Sequence, residues 1–478
     1  MVEFQFSTEQ SFLLEFGHHF MRVILTGGLV LAGETAITGI TNAAHAVLTA
    51  AGHGLVNGDQ VYVSGVNGLS QANQRQFTVS GVTANTVRLA TIVGDPFDTS
   101  GFDAYGGGGT MSQIYEIPTP YSEDELFDIK ITQSADVMYL AHPNHAPRQL
   151  SRFANDNWLL EEIDFGTDLT PPRITFARWS GSFEPDDGRT NERYVVTAVD
   201  SVNSEESVAS TIRLVSRNGV FTAGQSVDLS WSAVAGATDY NVYKQIAGVF
   251  GFIGTTDSAV RTFSDTNITP DTGDTPPENR NPFVNGNHPG SVAFFEDRLG
   301  WAGSNSNPQT AWLSQTSNYD SHAVSVPPAP DDAVEFTITA RQLDRVLHML
   351  SLRNLILMTN NTIWAVSGQG DQTPIAPASL YARPQLYYGA EQVEPIIVGD
   401  SALFVENKNH AVRDLYYEFS ADGYVGSDLS VMARHLFDGR SIVDWAYARA
   451  PDELVWATRD DGTLLGFTYV REHQIQAW

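Results

Sequence analysis

Apolar and polar positions alternate with a period of two along most of this chain, and turn residues cut the alternation at short intervals. The stretch 444–478 is the clearest case. Leu454 to Thr458 is a short apolar run, Arg459-Asp460-Asp461-Gly462 is a turn, and in 463–470 Leu465, Phe467 and Tyr469 share one face. Ile475 and Ala477 then alternate with Gln474 and Gln476. This pattern predicts an antiparallel meander, with Asp-Gly taking the positive φ values of a tight hairpin turn. The same unit recurs at 136–165, 291–315, 347–368 and 395–419, with turns at Pro143-Asn144, Glu296-Asp297, Asn360-Asn361 and Gly399-Asp400. Meanders repeating every ~40–50 residues mark propeller blades. The best helical stretch, 428–436, is short. The fold class expected is all-β, a β-propeller-like body of meander blades.

Two stretches differ in texture. Residues 37–113 are poor in charge and rich in Val, Thr, Ala, Asn and Gly, with Gly52-His53-Gly54-Leu55, Asn57-Gly58-Asp59 and Phe77-Thr78-Val79 in succession. They resemble the small β-barrel known as the FCCH domain of ubiquitin-activating enzymes, which recurs in phage tail proteins. No catalytic cysteine or nucleotide loop accompanies it, so no ubiquitin chemistry is implied. Gly106 to Gly109 reads as the exit hinge. The second stretch, 171–280, is bounded by Pro171-Pro172 and Pro276-Pro277. Trp231, Tyr240, Val242 and Tyr243 within 227–265 resemble the front half of a fibronectin type III domain, and 194–210 resembles its last two strands, yet precedes them. Either one sandwich is permuted or two incomplete sandwiches abut, and ~100 residues suit one. The expected organisation is therefore 1–36 first propeller strands, 37–113 barrel insertion, 114–170 propeller blade, 171–280 sandwich insertion and 281–478 remaining blades.

Composition narrows the function. The 478 residues carry 56 acids and 27 bases, a net charge of −29, and three of the bases are lysines: Lys130, Lys244 and Lys408. Such a chain lacks the basic footprint that grips phosphates. The absence of cysteine excludes disulfides, thiolate metal sites and cysteine nucleophiles. The first residues, MVEFQFSTEQSF, have no basic n-region or continuous apolar segment, and no run approaches ~18 apolar residues. Synthesis in a cytoplasm and no membrane span are expected.

Candidate chemistry is sparse. His18-His19 fall mid-strand and point to opposite faces, so they cannot share a metal. His53, between two glycines, reads as a turn cap. His142-Pro143-Asn144-His145 reads as a loop without a metal-site carboxylate at the usual spacing. Acidic pairs sit in turn-like stretches, and paired acids serve glycoside hydrolysis only when aimed across one cleft. The run 458–463 is similar to the Asp-box of sialidase propellers, but Leu464-Leu465 replace its aromatic. No catalytic, metal or cofactor site is expected.

The order of parts is similar to the tail nozzle family of short-tailed bacteriophages, also called tail tubular protein B. The residues that carry the resemblance are 115–152, 291–320 and 412–478, the last with VRDLYYEF, DLSVMARHLF and HQIQAW in sequence. The resemblance implies a virion protein of the phage tail, a homohexameric ring below the tail adaptor protein, with tail fibres or tip proteins at its side or below. DNA would pass through without specific binding. The acids expected to face that lumen, because turns project, are Asp186, Asp187, Asp331, Asp332, Asp460 and Asp461. The alternative is a β-propeller tail protein that binds or degrades glycan.

Overall fold

The structure is a computed structural model. It describes all residues except 8–9, 167–168, 183–187, 202–204, 220, 278–280, 326–327, 341–343, 371–372, 409–410 and 474, together with the side chain of residue 472. Two compact units are distinguished: Met1–Phe127 with Gln133–Tyr139 and Arg148–Glu161, and Asp128–Thr132 with Leu140–Pro147 and Glu162–Trp478. The division passes through the second blade. No helix among the described residues is long and apolar enough to cross a membrane.

The protein is all-β, with a propeller-like body of antiparallel meander blades. Blade 1 orders Val2–Gln5, Ser11–Gly17, Phe20–Leu25 and Glu116–Pro118. Blade 2 runs from Lys130–Ser134 to Asn157–Glu162, and blade 3 from Ser291–Phe295 to Val334–Thr337. Blade 4 runs from Val346–Ser351 to Tyr381–Leu386, blade 5 from Ile396–Val398 to Gly423–Val425, and blade 6 from Ile442–Ala448 to Ile475–Ala477. In blades 3 to 5 inner strands bury both faces and read as continuous apolar runs, whereas in blade 6 Leu454–Arg459 and Leu464–Val470 alternate and bury one face. Leu355–Thr359 and Ser401–Val405 are buried at every position. One core joins blades 3 and 4 through Leu313, Val346 and Leu357. A second joins blades 4 and 5 through Met358 and Phe404, and a third joins blades 5 and 6 through Val405, Val455 and Phe467.

The turns fall where the alternation breaks, with differences in detail. His18-His19 form the turn between two strands, His19 at φ 62°, and are not mid-strand. The turn Asp460-Asp461-Gly462 places only Gly462 at positive φ, 80°. With Gly462 N–H donating to Arg459 O and Arg459 N–H to Thr463 O, it is a three-residue loop, not a two-residue one. Two strand assignments also change. Leu31–Ala36, expected among the first propeller strands, pairs with Thr110–Ile114 of the inserted barrel. Glu116–Pro118, expected in the following blade, pairs with Phe20–Leu25 and completes blade 1. Alternation identifies a strand but leaves its partner open.

The inserted barrel is one seven-stranded sheet. Leu31–Ala36 lies at one end of its path and Gly39–Ile40 at the other, so the consecutive segment 31–40 draws the ends together. Phe77, Val79, Leu89 and Met111 fill its interior. Gly106 to Gly109 is not a hinge. Gly106 N–H donates to Asn67 O at 2.8 Å and Asn67 N–H to Gly107 O at 3.0 Å. Gly109 stands at φ 92°, and a Cβ there would lie 2.7 Å from Val66 Cγ2 and 2.9 Å from Ser64 O. Gly109→Val is therefore expected to cost about 2–4 kcal/mol of barrel stability, from backbone strain and overlap together. Thermal unfolding of the variant checks this, and proteolysis is not expected to begin at this run.

The second insertion is a single two-sheet β-sandwich. Ile174–Trp179, Val227–Trp231 and Thr262–Asp265 form one sheet. Arg189–Asp200 pairs with Asp239–Ile246, Glu205–Glu206 and Arg213–Asn218 in the other, which Val249–Asp257 extends. Trp231, Val227 and Trp179 share one core with Tyr194, Val196, Tyr240 and Val242, so the strands belong to one domain, not to two half-domains.

Candidate site beside the leading strands

Lys130 opens the first strand of blade 2 and is buried. Its ammonium donates to Gln392 O at 2.9 Å, in the connection that leads into blade 5. Gln392 Nε2 in turn donates to Asp128 Oδ1 at 3.0 Å. His348, on the first strand of blade 4, places Nε2 2.7 Å from Glu391 O in the same connection, so that nitrogen carries the proton. Glu394 O accepts the indole N–H of Trp445, on the first strand of blade 6, at 2.6 Å. Segment 391–394 thus gathers the leading strands of blades 2, 4 and 6 around one polar centre.

Burial holds the Lys130 ammonium below the usual lysine range, opposed by the charges of Glu394, Asp128 and Asp444. Glu394 has exposed surface yet is densely surrounded by protein, as expected for a group in a narrow recess. That enclosure raises its carboxyl above the usual range, Lys130 pulls it back, and Asp444 raises it further. Burial, with Lys130 beside it, pushes His348 down to about 3. The ammonium is engaged and enclosed, so it is neither a free nucleophile nor a phosphate grip. Its chemical role is to neutralise acids brought together by three blades.

The acids expected to project divide sharply. Asp186 and Asp187 lie outside the described residues. Asp331 is exposed, but its neighbour Asp332 is turned inward, 1% exposed. The Asp332 carboxylate accepts the amide of Ser325 at 2.9 Å and of Ala329 at 2.7 Å, closing its own loop. Its carbonyl accepts Arg298 Nη1 at 2.6 Å, and Arg298 also donates to Ser314 O and Pro330 O. Asp460 is exposed, 3.8 Å from Arg440. Asp461 is clamped by Arg459 at 2.6 Å and by Thr463. These hydrogen bonds hold its carboxyl well below the usual carboxylate range, so it cannot serve as a general acid.

His53, His142 and His322 have defined local contacts. His53 Nδ1 accepts the Leu55 amide at 3.1 Å, capping its turn. His142 Nδ1 accepts the Asn144 amide at 3.1 Å, and the His142 and His145 rings stand 4.9 Å apart across their hairpin. His322, unremarked in the sequence, is enclosed by Phe165 and Phe283 with ring centroids at 5.4 and 5.6 Å, and burial pushes it down to about 3. Sequence reasoning also missed the Lys130 centre. Its one available signal was a rare lysine beside Asp128 at the start of a strand.

No protein-family model matches the chain, and no curated protein does. Among solved structures it is similar to the WD40 β-propeller domain of Doa1, with 10% identity and a TM-score of 0.22, covering 73% of this chain and 95% of that one. It is similar to the computationally designed Ika8 protein at 8% identity and TM-score 0.22, covering 92% and 98%. The endosialidase of phage phi92 matches at 9% identity and TM-score 0.20, covering 98% of this chain and 65% of that one. Likenesses this low carry no argument about function. The class is defined by the sheets themselves, a β-propeller-like protein with two inserted β-domains.

Proposed function

We propose that this protein is the tail nozzle of a short-tailed bacteriophage, a virion component that forms the lower conduit for DNA. The observation that carries this reading is the order of parts. A β-barrel interrupts blade 1 before its last strand, and a sandwich separates blades 2 and 3, in the sequence of modules that the nozzle-like segments 115–152, 291–320 and 412–478 imply. The net charge of −29 supports passage of DNA without retention, since each basic contact to phosphate would add salt-dependent affinity. Mechanism is then passive: a homohexameric ring, joined to an adaptor, whose wall repels the duplex. Of the acids expected to face the lumen, Asp331, Asp460 and Asp461 are exposed, and Asp461 is already held by Arg459.

Electron microscopy of the purified protein in negative stain, alone and with the tail adaptor, tests the assembly, and six-fold rings are the expected result. A protein that stays monomeric under both conditions would overturn the reading. In assembled particles, Asp331→Lys with Asp460→Lys is expected to slow DNA ejection severalfold at low salt and less at high salt. Unchanged ejection at low salt would remove these two acids from the lumen wall.

A further inference from the structure

Between the outermost strands of blades 4 and 5, Tyr381–Leu386 and Gly423–Val425, lies a pocket of about 260 Å³. Gln385 Oε1 accepts the Tyr424 amide at 2.9 Å and fixes the two strands at its floor. Two arginines line it, Arg353 from the turn between Val346–Ser351 and Leu355–Thr359 and Arg383 from within Tyr381–Leu386. In a chain with 56 acids, neither guanidinium pairs with a carboxylate among the described residues, whereas Arg413 and Arg471 each hold one at 2.6 and 3.1 Å. Both are instead held over aromatic faces, Arg353 4.4 Å from the Tyr417 ring centroid and Arg383 5.3 Å from that of Tyr381. Tyr417 is itself positioned by donating its hydroxyl to Asp422 Oδ1 at 2.8 Å.

Guanidinium groups that make no ion pair among the described residues, held over aromatic rings and lining one concave site, suit a planar anion bound through paired N–H donors. The rest of the lining narrows the ligand. Tyr381 is half exposed and offers a flat face, and Asp422 and Gln385 accept or donate to hydroxyl groups. We propose that this pocket binds a carboxylate-bearing pyranose, a uronate unit of an acidic polysaccharide. A nucleic-acid backbone would require a track of cations along the surface, and two arginines in one recess of a strongly acidic chain do not provide it. The assignment stands on the pocket and does not depend on the nozzle reading.

The experiment is calorimetric titration of the full chain with methyl β-D-glucuronide, and with methyl β-D-glucoside as the neutral control. The glucuronide is expected to bind and the glucoside to bind at least tenfold more weakly. Arg353→Gln and Arg383→Gln are each expected to weaken the glucuronide about tenfold, and Tyr381→Ala to weaken it less. Both arginines are exposed, so circular dichroism should be unchanged. Equal binding of the two sugars, no binding of either, or glucuronide affinity unaltered in the arginine variants would overturn the proposal. Inorganic sulfate binding as tightly as the glucuronide would reduce the site to a simple anion pocket. A duplex oligonucleotide whose binding is lost in the same variants would assign it to phosphate instead.

Discussion

Lowering the pH from 6.5 toward 3 is expected to remove several kcal/mol of stability from blades 3 and 4, because two buried histidines there are held neutral. His322 and His348 are both pushed down to about 3, against an unfolded value of 6.5. Their folded values are depressed, so between these limits the unfolded chain binds protons that the folded chain does not. Stability from this source is therefore complete above pH 6.5, falls as the pH drops, and has no further to fall below about 3. The causes differ. Burial among aromatic rings depresses His322, whereas His348 also faces Lys130 and donates to Glu391 O. His322→Leu with His348→Gln removes both titrations, the glutamine retaining a donor for Glu391. Urea denaturation at pH 7 and pH 4.5 should show a much smaller acid loss in the double variant than in the parent. Equal losses in the two proteins would refute the assignment.

Lys244→Met is expected to destabilise the sandwich by about 3–5 kcal/mol. Asp265 is fully buried, and its Oδ2 receives the Lys244 ammonium at 2.9 Å and the Tyr194 hydroxyl at 2.7 Å. Its Oδ1 accepts the Ile268 amide at 2.7 Å. Burial, reinforced by the Asp265 charge, raises the Tyr194 hydroxyl above its ordinary range, so it remains a donor. The methionine would leave a carboxylate enclosed with neutral donors only, and unpaired buried charge is far more costly than the intact pair is favourable. Removing both charges, Lys244→Met with Asp265→Leu, should recover part of the loss. Amide exchange across 174–265 isolates the effect from the blades. A single-variant loss below about 1 kcal/mol would show that the pair is screened.

Much of the architecture was legible because turns announce themselves locally. Asn360-Asn361, Gly399-Asp400 and Glu296-Asp297 each separate strands where the alternation breaks. The even Glu296-Asp297 turn, both residues at positive φ, is held by side-chain bonds to Ile375 N–H and the Tyr319 hydroxyl. What stayed hidden depends on distant partners. Lys130 and Gln392 are 262 residues apart, and no local pattern announces their bond. Asp331 and Asp332 are chemically identical neighbours, yet one faces solvent and the other closes a loop around Arg298. Acidic composition identified a surface property but could not separate those two roles. The arginine pocket was equally invisible, since Arg353 lies in a hairpin turn and Arg383 within the last strand of the same blade.

The position of the barrel within blade 1 also sets an order on synthesis. Phe20–Leu25 cannot acquire its partner Glu116–Pro118 until the intervening barrel has left the ribosome. Until then, part of the Phe20–Leu25 edge, at Phe20 to Arg22, lacks the Glu116–Pro118 strand, an exposed template for wrong pairing. The barrel has its own core, so it can fold first and bring residue 116 back to that edge. A destabilised barrel should therefore reveal itself during translation as aggregation of the nascent chain, even where the finished protein remains stable.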